Sequence, residues 1–425
     1  MPEPSTMRVA GGAAAPRREA AVWFVLVTLG LDALGIGLVV PIVPRLVQRL
    51  SHMDPSGAAF YVGALVATFA LAQLICSPIL GGLSDRYGRR PVILMSISGF
   101  ALNYVLLAWA PTLPWLFLGR AIAGVMASNT AASTAYIADV TPVADRARRF
   151  GLIGATFSFG FVLGPAVGGV LGGIDLRLPF IVAAVLAAAN ATFGLLMLPE
   201  SLPRERRQKF SWKGANPVAA LRMLAGDAVL SRLALAWSCL WFGLGVLQTV
   251  FVLSTVLRFG WGTEQNGIAL GLVGVTGALV QGLLVRRVVA RLGERATAMT
   301  GFAISAVSYL LLATATRGWM VFLIVPLQAC GNIANPAVRA LISGRAGPER
   351  QGRVMGALSS VEGLTAIFSP LVASVLFNRF SGPAAWVDFP GLPFLVGALA
   401  YLGALFAVRH AASVTARAEP VMPAP

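Results

Sequence analysis

Twelve long apolar stretches, joined by short polar connections, leave this 425-residue chain little choice of architecture. They lie near residues 20–46, 58–82, 92–110, 113–137, 148–172, 178–198, 231–257, 264–286, 296–315, 319–341, 354–378 and 390–409. An apolar run of about 20 residues spans the roughly 30 Å hydrocarbon core of a bilayer. Backbone polar groups find no water there, so each run is predicted to bond within itself as a helix. Composition agrees. Charged residues are 12% and hydrophobic residues 57%, whereas soluble proteins average about 25% charged. So few charges cannot cover a water-facing surface, and the chain reads as an all-α, polytopic membrane protein.

The predicted organisation is a polar tail (1–19), six helices (20–198), a hydrophilic linker (199–230), six more helices (231–409) and a second tail (410–425). A cleaved leader would have a shorter apolar core, so the first run is read as a retained helix. The formal charge of +16 invites a nucleic-acid reading, but its placement argues against one. With both termini on the cytoplasmic side, that side holds 26 Lys and Arg, the outside holds six, and Arg120 lies within a helix. Basic residues gather on cytoplasmic loops of membrane proteins, so this split predicts N-in and C-in topology. Cys76, Cys239 and Cys330 are scattered in apolar runs, and His52 and His410 have no Cys or His near them in sequence. No disulfide framework, metal site or histidine-based catalytic centre is expected.

The halves repeat at a constant offset of 205 residues. Gly88 meets Gly293, Arg86 and Arg90 meet Arg291 and Arg295, Tyr104 meets Tyr309, and Pro165 meets Pro370. Parallel repeats of this kind predict two bundles related by an axis along the membrane normal, with a substrate site at their interface near mid-membrane.

Polar residues within this frame are the candidate functional groups. The loop after helix 2 carries Gly81, Asp85, Arg86, Gly88, Arg89 and Arg90. Glycine permits a tight turn there, and Asp85 is placed to cap a helix; topology signalling alone is the plainer reading. Helix 5 carries Gly160, Gly164, Pro165, Gly168 and Gly169, a spacing that lets helices approach closely, whether for transport or for generic packing. Arg120 in helix 4 is costly in hydrocarbon, at least about 2.5–3.5 kcal/mol, and needs a partner and a task unless it reaches the outer interface. Asp32 is the sole acid of helix 1, near its middle. Burial and a neighbouring cation pull a carboxyl's proton affinity in opposite directions, so a site exposed to both can load and release a proton. A structural carboxylate is the alternative. Glu362 in helix 11 is a second intramembrane acid, read as a proton site, a contact for a cationic cargo, or a packing partner. Gln73, Asn103, Gln248, Gln281 and Ser305 supply polar groups for a cavity.

Several segments together carry a family resemblance: LDALGIGLVVPIVPRL, SDRYGRRPV, AYIADV with DRARRFG, LPES at 198–201, and ARLGER, ATRGWM and ERQG in the second half. From about residue 22 to 408 the chain resembles the drug:proton antiporters of the major facilitator superfamily, and within them the tetracycline/proton antiporter group. The resemblance implies the major facilitator fold, twelve helices in two pseudo-symmetric six-helix bundles, and transport rather than catalysis. It implies that Arg89 pairs with Asp139 at the end of helix 4, that Asp85 faces the start of helix 11, and that this latch closes the cytoplasmic side. It marks the helix 5 pattern as an antiporter signature, and Arg120 with Gly124 as an element linked to proton transfer.

Three positions depart from the group. Its helix 3 and helix 9 aspartates are Asn103 and Ser305 here, and its frequent helix 8 histidine is Gly277. The expectation is a proton-coupled antiporter of amphipathic small molecules or drugs, in the bacterial inner membrane and monomeric. In it Asp32, once protonated, loosens its hold on Arg120, and Glu362 takes over one charge. No cofactor is expected, although a tetracycline-like cargo would bring a divalent metal with it. An exporter of an endogenous metabolite or siderophore keeps the same fold, and a non-transporting membrane sensor is the rival from another class.

Overall fold

The computed structural model describes residues 15–142, 145–207, 224, 226–346, 350–382, 385 and 387–418. The start of the N-terminal tail, most of the central linker with Lys209 and Lys213, and the end of the C-terminal tail lie outside them.

The described chain is built from helices: α1 (Ala15–Val39), α2 (Val43–Ser51), α3 (Pro55–Tyr87), α4 (Arg89–Ala108), α5 (Leu113–Ala127), α6 (Asn129–Val140), α7 (Arg146–Ile174), α8 (Leu178–Met197), α9 (Ala228–Phe259), α10 (Thr263–Leu279), α11 (Val285–Thr314), α12 (Gly318–Gly331), α13 (Ala334–Ala346), α14 (Gln351–Arg379) and α15 (Leu392–Ala418). Among the described residues nine continuous helices are long and apolar enough to cross a membrane unaided. One of them, Thr263–Thr314, makes two passes, because Gly293 breaks it with φ 76° and ψ 165°. Helix 4 is divided into α5 and α6, and helix 5 is α7, with its apolar part at Val162–Ile174. With these included, the chain makes its twelve passes.

The repeat is visible in the backbone. Gly88, 205 residues before Gly293, turns the chain between α3 and α4 with φ 111° and ψ 162°. Only glycine enters that region readily, because it has no Cβ to clash with the carbonyl. Helix 4 breaks between Ala127 and Asn129, and helix 10 breaks between Gly331 and Ala334. The resumption points, Asn129 and Ala334, again lie 205 residues apart.

Within each half the helices pack on one another, most extensively α1 on α7 and α4 on α8 in the first half, and α9 on α15 and α11 on α15 in the second. The halves meet along two seams, α3 against α14 and α7 against α10. Under the repeat these are the same seam twice. Both are closed toward one end. Gly169 lies so near Gly267 that an added Cβ would stand 2.7 Å from the Gly267 Cα. Gly63 abuts Pro370 and Ser374, and Gly363 meets Leu74. Past Leu74 and Gly274 the glycines of the described seam helices face open space. Gly81, Gly154, Gly277 and Gly356, one on each of the four seam helices, have no atom within 4 Å of where a Cβ would stand. The interface is therefore a cleft, shut at the end bearing the α2–α3 and α9–α10 connections and open at the end bearing the arginine-rich loops. The closed end is called the far end and the open one the basic end below.

Candidate functional site

Asp32 lies mid-helix in α1, and its Oδ2 accepts a hydrogen bond from Asn129 Nδ2 at 3.1 Å. Asn129 reaches it because α6 restarts there after the break in helix 4. The break is itself tied down: Ser77 Oγ donates to Ser128 Oγ at 3.2 Å, and Ser128 Oγ lies 3.4 Å from the Gln73 carbonyl. Asp32, Gly35, Tyr104 and Asn190 line a small pocket between α1, α4 and α8. The acid thus faces the interior of the first bundle.

Arg120 does not hold Asp32. Among the described residues Asp32 makes no ion pair; Arg120 Nε donates to the Leu65 carbonyl at 3.4 Å, and its guanidinium lies 4.5 Å from the centroid of the Phe69 ring. Tyr104 lines the same pocket as Asp32, with its hydroxyl against Gly35. A neutral amide on Asp32, and an aromatic face under the Arg120 cation, stand in place of the direct pair expected from the sequence. Asn129 was the missing partner. The signal was a polar run, SNTAAST, inside an apolar helix, and chain distance could not say what it would face.

The five cavity candidates divide. Gln248 and Gln281 are exposed, and Gln281 Nε2 donates to the Asn332 carbonyl at 3.4 Å. Gln73 is half-buried beside the helix 4 break. Asn103 and Ser305 are 1% and 2% exposed, and so do not line the open cleft. Asn103 sits against Gly119 of α5, and Ser305 against Gly331 of α12. Helices 3 and 9 are on the outer side of their bundles, so these residues sit in seams within each half. Glu362 is half-buried on α14, next to Gly363, which meets α3, and one turn before Thr365, whose hydroxyl is 3.1 Å from that of Ser238 on α9. It makes no ion pair among the described residues.

At the basic end Arg89 is the hub. Its Nη1 lies 2.5 Å from Asp85 Oδ1, and its Nε lies 3.3 Å from Asp139 Oδ2. The Arg89–Asp139 contact implied by family resemblance is thus present. Asp85 differs from expectation: it lies in the last turn of α3, holds Arg89, and caps no helix start. With the cleft open at this end, its docking on helix 11 is not made here. Arg86 lies 5.1 Å from the Tyr87 ring centroid, and Arg90 Nη2 donates to the Leu195 carbonyl at 2.8 Å. Glu200 is the organiser that sequence reasoning missed. Its Oε1 accepts from the backbone N–H of Arg89, Ser201 and Leu202 at 2.8, 3.0 and 3.1 Å. It spans from the first bundle's last helix to the α3–α4 turn.

The glycines of helix 5 serve two faces. Gly160, Gly164 and Gly168 lie against the α1 backbone at Gly30, Gly37 and Leu38, whereas Gly169 lies against α10 at Gly267. Pro165 touches both, through its ring to Gly37 and its carbonyl to Gly267. The motif therefore joins the helix bearing Asp32 to the seam between halves.

Comparison with known proteins gives the same architecture. The chain is 39% identical over 388 residues to the "Tetracycline resistance protein, class C" of Escherichia coli, covering 91% of this chain and 96% of that one. It is 30% identical over 354 residues to "Multidrug resistance protein 2" of Bacillus subtilis, covering 81% of this chain and 86% of that one. The solved structure of the human organic anion transporter MFSD10 superposes with a TM-score of 0.68 at 26% identity, covering 92% of this chain and 99% of that one. A family profile described as Major Facilitator Superfamily matches residues 25–290 and 282–423. Twelve passes, two repeated bundles and a cleft between them belong with that match, and the chain is a member of the Major Facilitator Superfamily.

Proposed function

We propose that this protein is a proton-coupled efflux pump for amphipathic small molecules or drugs, working by alternating access and catalysing no covalent chemistry. The observation that carries the reading is Asp32: an intramembrane carboxyl held by one neutral amide, on the helix that helix 5 joins to the seam between halves. A carboxylate at this depth is costly unless paired or protonated. Gaining or losing a proton therefore changes the packing energy of α1 against α6, and α7 passes that change to α10. Tyr104 and Asn190 are the polar side chains that share the Asp32 pocket. Glu362 is the second carboxyl offered to a proton or to a cationic cargo.

The basic end is cytoplasmic in this reading, which fits the positive-inside rule and an inner-membrane pump taking cargo from the cell. The cleft open at that end is the loading state. Its walls are apolar, with Gln73, Gln248 and Gln281 as the polar groups. The drive is the proton gradient, worth about 2.3 kcal/mol per charge per 100 mV. The pump works as a monomer without a cofactor, and any divalent metal enters bound to cargo. The relatives named for tetracycline and multidrug resistance support drugs as the cargo class. A metabolite or siderophore remains the second reading, favoured by Asn103 and Ser305 lying buried where the tetracycline group carries acids.

The test is drug-driven proton movement in inverted vesicles, with tetracyclines, cationic dyes, phenicols and quinolones. At least one compound should drive proton release in wild type, and Asp32→Asn should reduce it at least tenfold with protein abundance unchanged. Activity undiminished in Asp32→Asn would overturn the coupling role, and silence across the panel would move the cargo to a metabolite.

A further inference from the structure

We propose that Arg45 and Asn378 form a two-point latch holding the far end of the cleft shut, and that they set how often the protein opens to that side. The inference rests on the alternating-access reading above.

Two hydrogen bonds join the halves at the far end. Arg45 Nη2, on α2 of the first half, donates to the carbonyl of Trp261 in the second half at 2.9 Å. Asn378 Nδ2, on α14 of the second half, donates to the carbonyl of Ser56 in the first half at 2.9 Å. Ser56 and Trp261 are 205 residues apart, so the two acceptors are the same carbonyl under the internal repeat. Each stands at the start of a seam helix, Ser56 on α3 and Trp261 just before α10.

The donors are not repeats of each other. The counterpart of Asn378 is Gly173, which has no side chain to donate, and that of Arg45 is Val250. The first half instead reaches the equivalent carbonyl from α2. The same interaction is thus supplied by unrelated positions, once on each of the two seams of the pseudo-symmetric interface. Below it the seams are close apolar and glycine contacts, which lack direction. The two hydrogen bonds are directional, and both must break before the far end can part.

The acceptors are firmly placed. The Trp261 ring stacks on Phe322 with centroids 4.8 Å apart, and Ser56 is 5% exposed. The donors are more accessible, Arg45 half-buried and Asn378 exposed. Water can replace them once the bonds break, so each bond biases the equilibrium without locking it.

The test is the distance between spin labels on full-length protein in liposomes, with the three native cysteines replaced by serine. One pair, at Trp109→Cys and Thr314→Cys, reads the far end; the other, at Tyr87→Cys and Leu292→Cys, reads the basic end. All four positions are exposed, and each pair is related by the repeat. In Arg45→Leu and Asn378→Leu the ratio of far-open to far-closed protein should rise about three- to tenfold each, and in the double variant by roughly the product. The basic-end pair should shorten in step. Arg45→Lys, which keeps a charged donor, should stay near wild type. Unchanged distances in the double variant overturn the latch. So does a far end that widens while the basic end stays put, since that is local loosening. A far end that responds in protein whose vesicles move no protons with any of the drugs would uphold the latch and overturn the drug-export reading.

Discussion

At the scale of single residues, several charged groups in this chain are held by named neighbours. Asp227 is a clear case outside the membrane. Its Oδ1 accepts from the N–H of Val229 and Leu230 at 2.8 and 3.1 Å, capping α9, and its Oδ2 lies 3.3 Å from Arg345. Burial pushes this carboxyl's pKa up, but the two backbone donors and Arg345 outweigh it and hold it below the usual carboxylate value. A carboxyl lowered on folding adds stability above its unfolded pKa and loses it as pH falls through the folded value. Asp227→Ala should therefore cost about 1 kcal/mol at neutral pH. The thermal-melt difference from wild type should shrink as pH drops from about 5 toward 3. A difference that grows with acidification would contradict this assignment.

At the scale of elements, helix 5 is the part whose sequence most tightly dictates its packing. The α1–α7 crossing leaves no room for side chains at Gly164, where a Cβ would stand 2.6 Å from the Gly37 Cα and 2.7 Å from the Leu34 carbonyl oxygen. Both are backbone atoms, so repacking cannot relieve the clash. Gly164→Val should separate α1 from α7 and cost about 2 kcal/mol or more. It should also lower proton-coupled activity, because Asp32 rides on α1. The check is a melt of purified protein beside vesicle transport; full activity with unchanged melting would sink it. The breaks in helices 4 and 10 belong to this scale too. One places Asn129 on Asp32, while its repeat places Ala334, with Trp237 in the position of Asp32. The second half keeps the geometry and lacks the acid, so a carboxyl at this position is present in the first half alone.

At the scale of the whole molecule, the cleft makes glycines on one helix unequal. Gly267 lies in the closed part of the α7–α10 seam, with the Pro165 carbonyl oxygen 2.7 Å from where its Cβ would be, whereas Gly277, less than three turns along the same helix, faces open space. Gly267→Ala should lower the melting temperature by several degrees, and Gly277→Ala should leave it within about one. Equal effects would mean that the seam does not close where the structure has it close. The same asymmetry explains the position of Asp85. Its proposed dock on helix 11 needs the basic end shut, so in this state it stays with Arg89.

The sequence by itself determined the helical spans, the two-bundle repeat and the chemical inventory. These follow from local rules: hydrocarbon forces helices, glycine alone takes the backbone of Gly88 and Gly293, and basic residues mark one side. It also pointed to Arg89 with Asp139, where family resemblance supplied the pairing. Only the tertiary structure decided who faces whom. It put Asn129 on Asp32, buried Asn103 and Ser305 in seams within each half, gave Glu200 the α3–α4 turn, and set Arg45 and Asn378 on equivalent carbonyls. A side chain's direction around its helix depends on how helices rotate and cross, and that is fixed by packing summed over many distant residues.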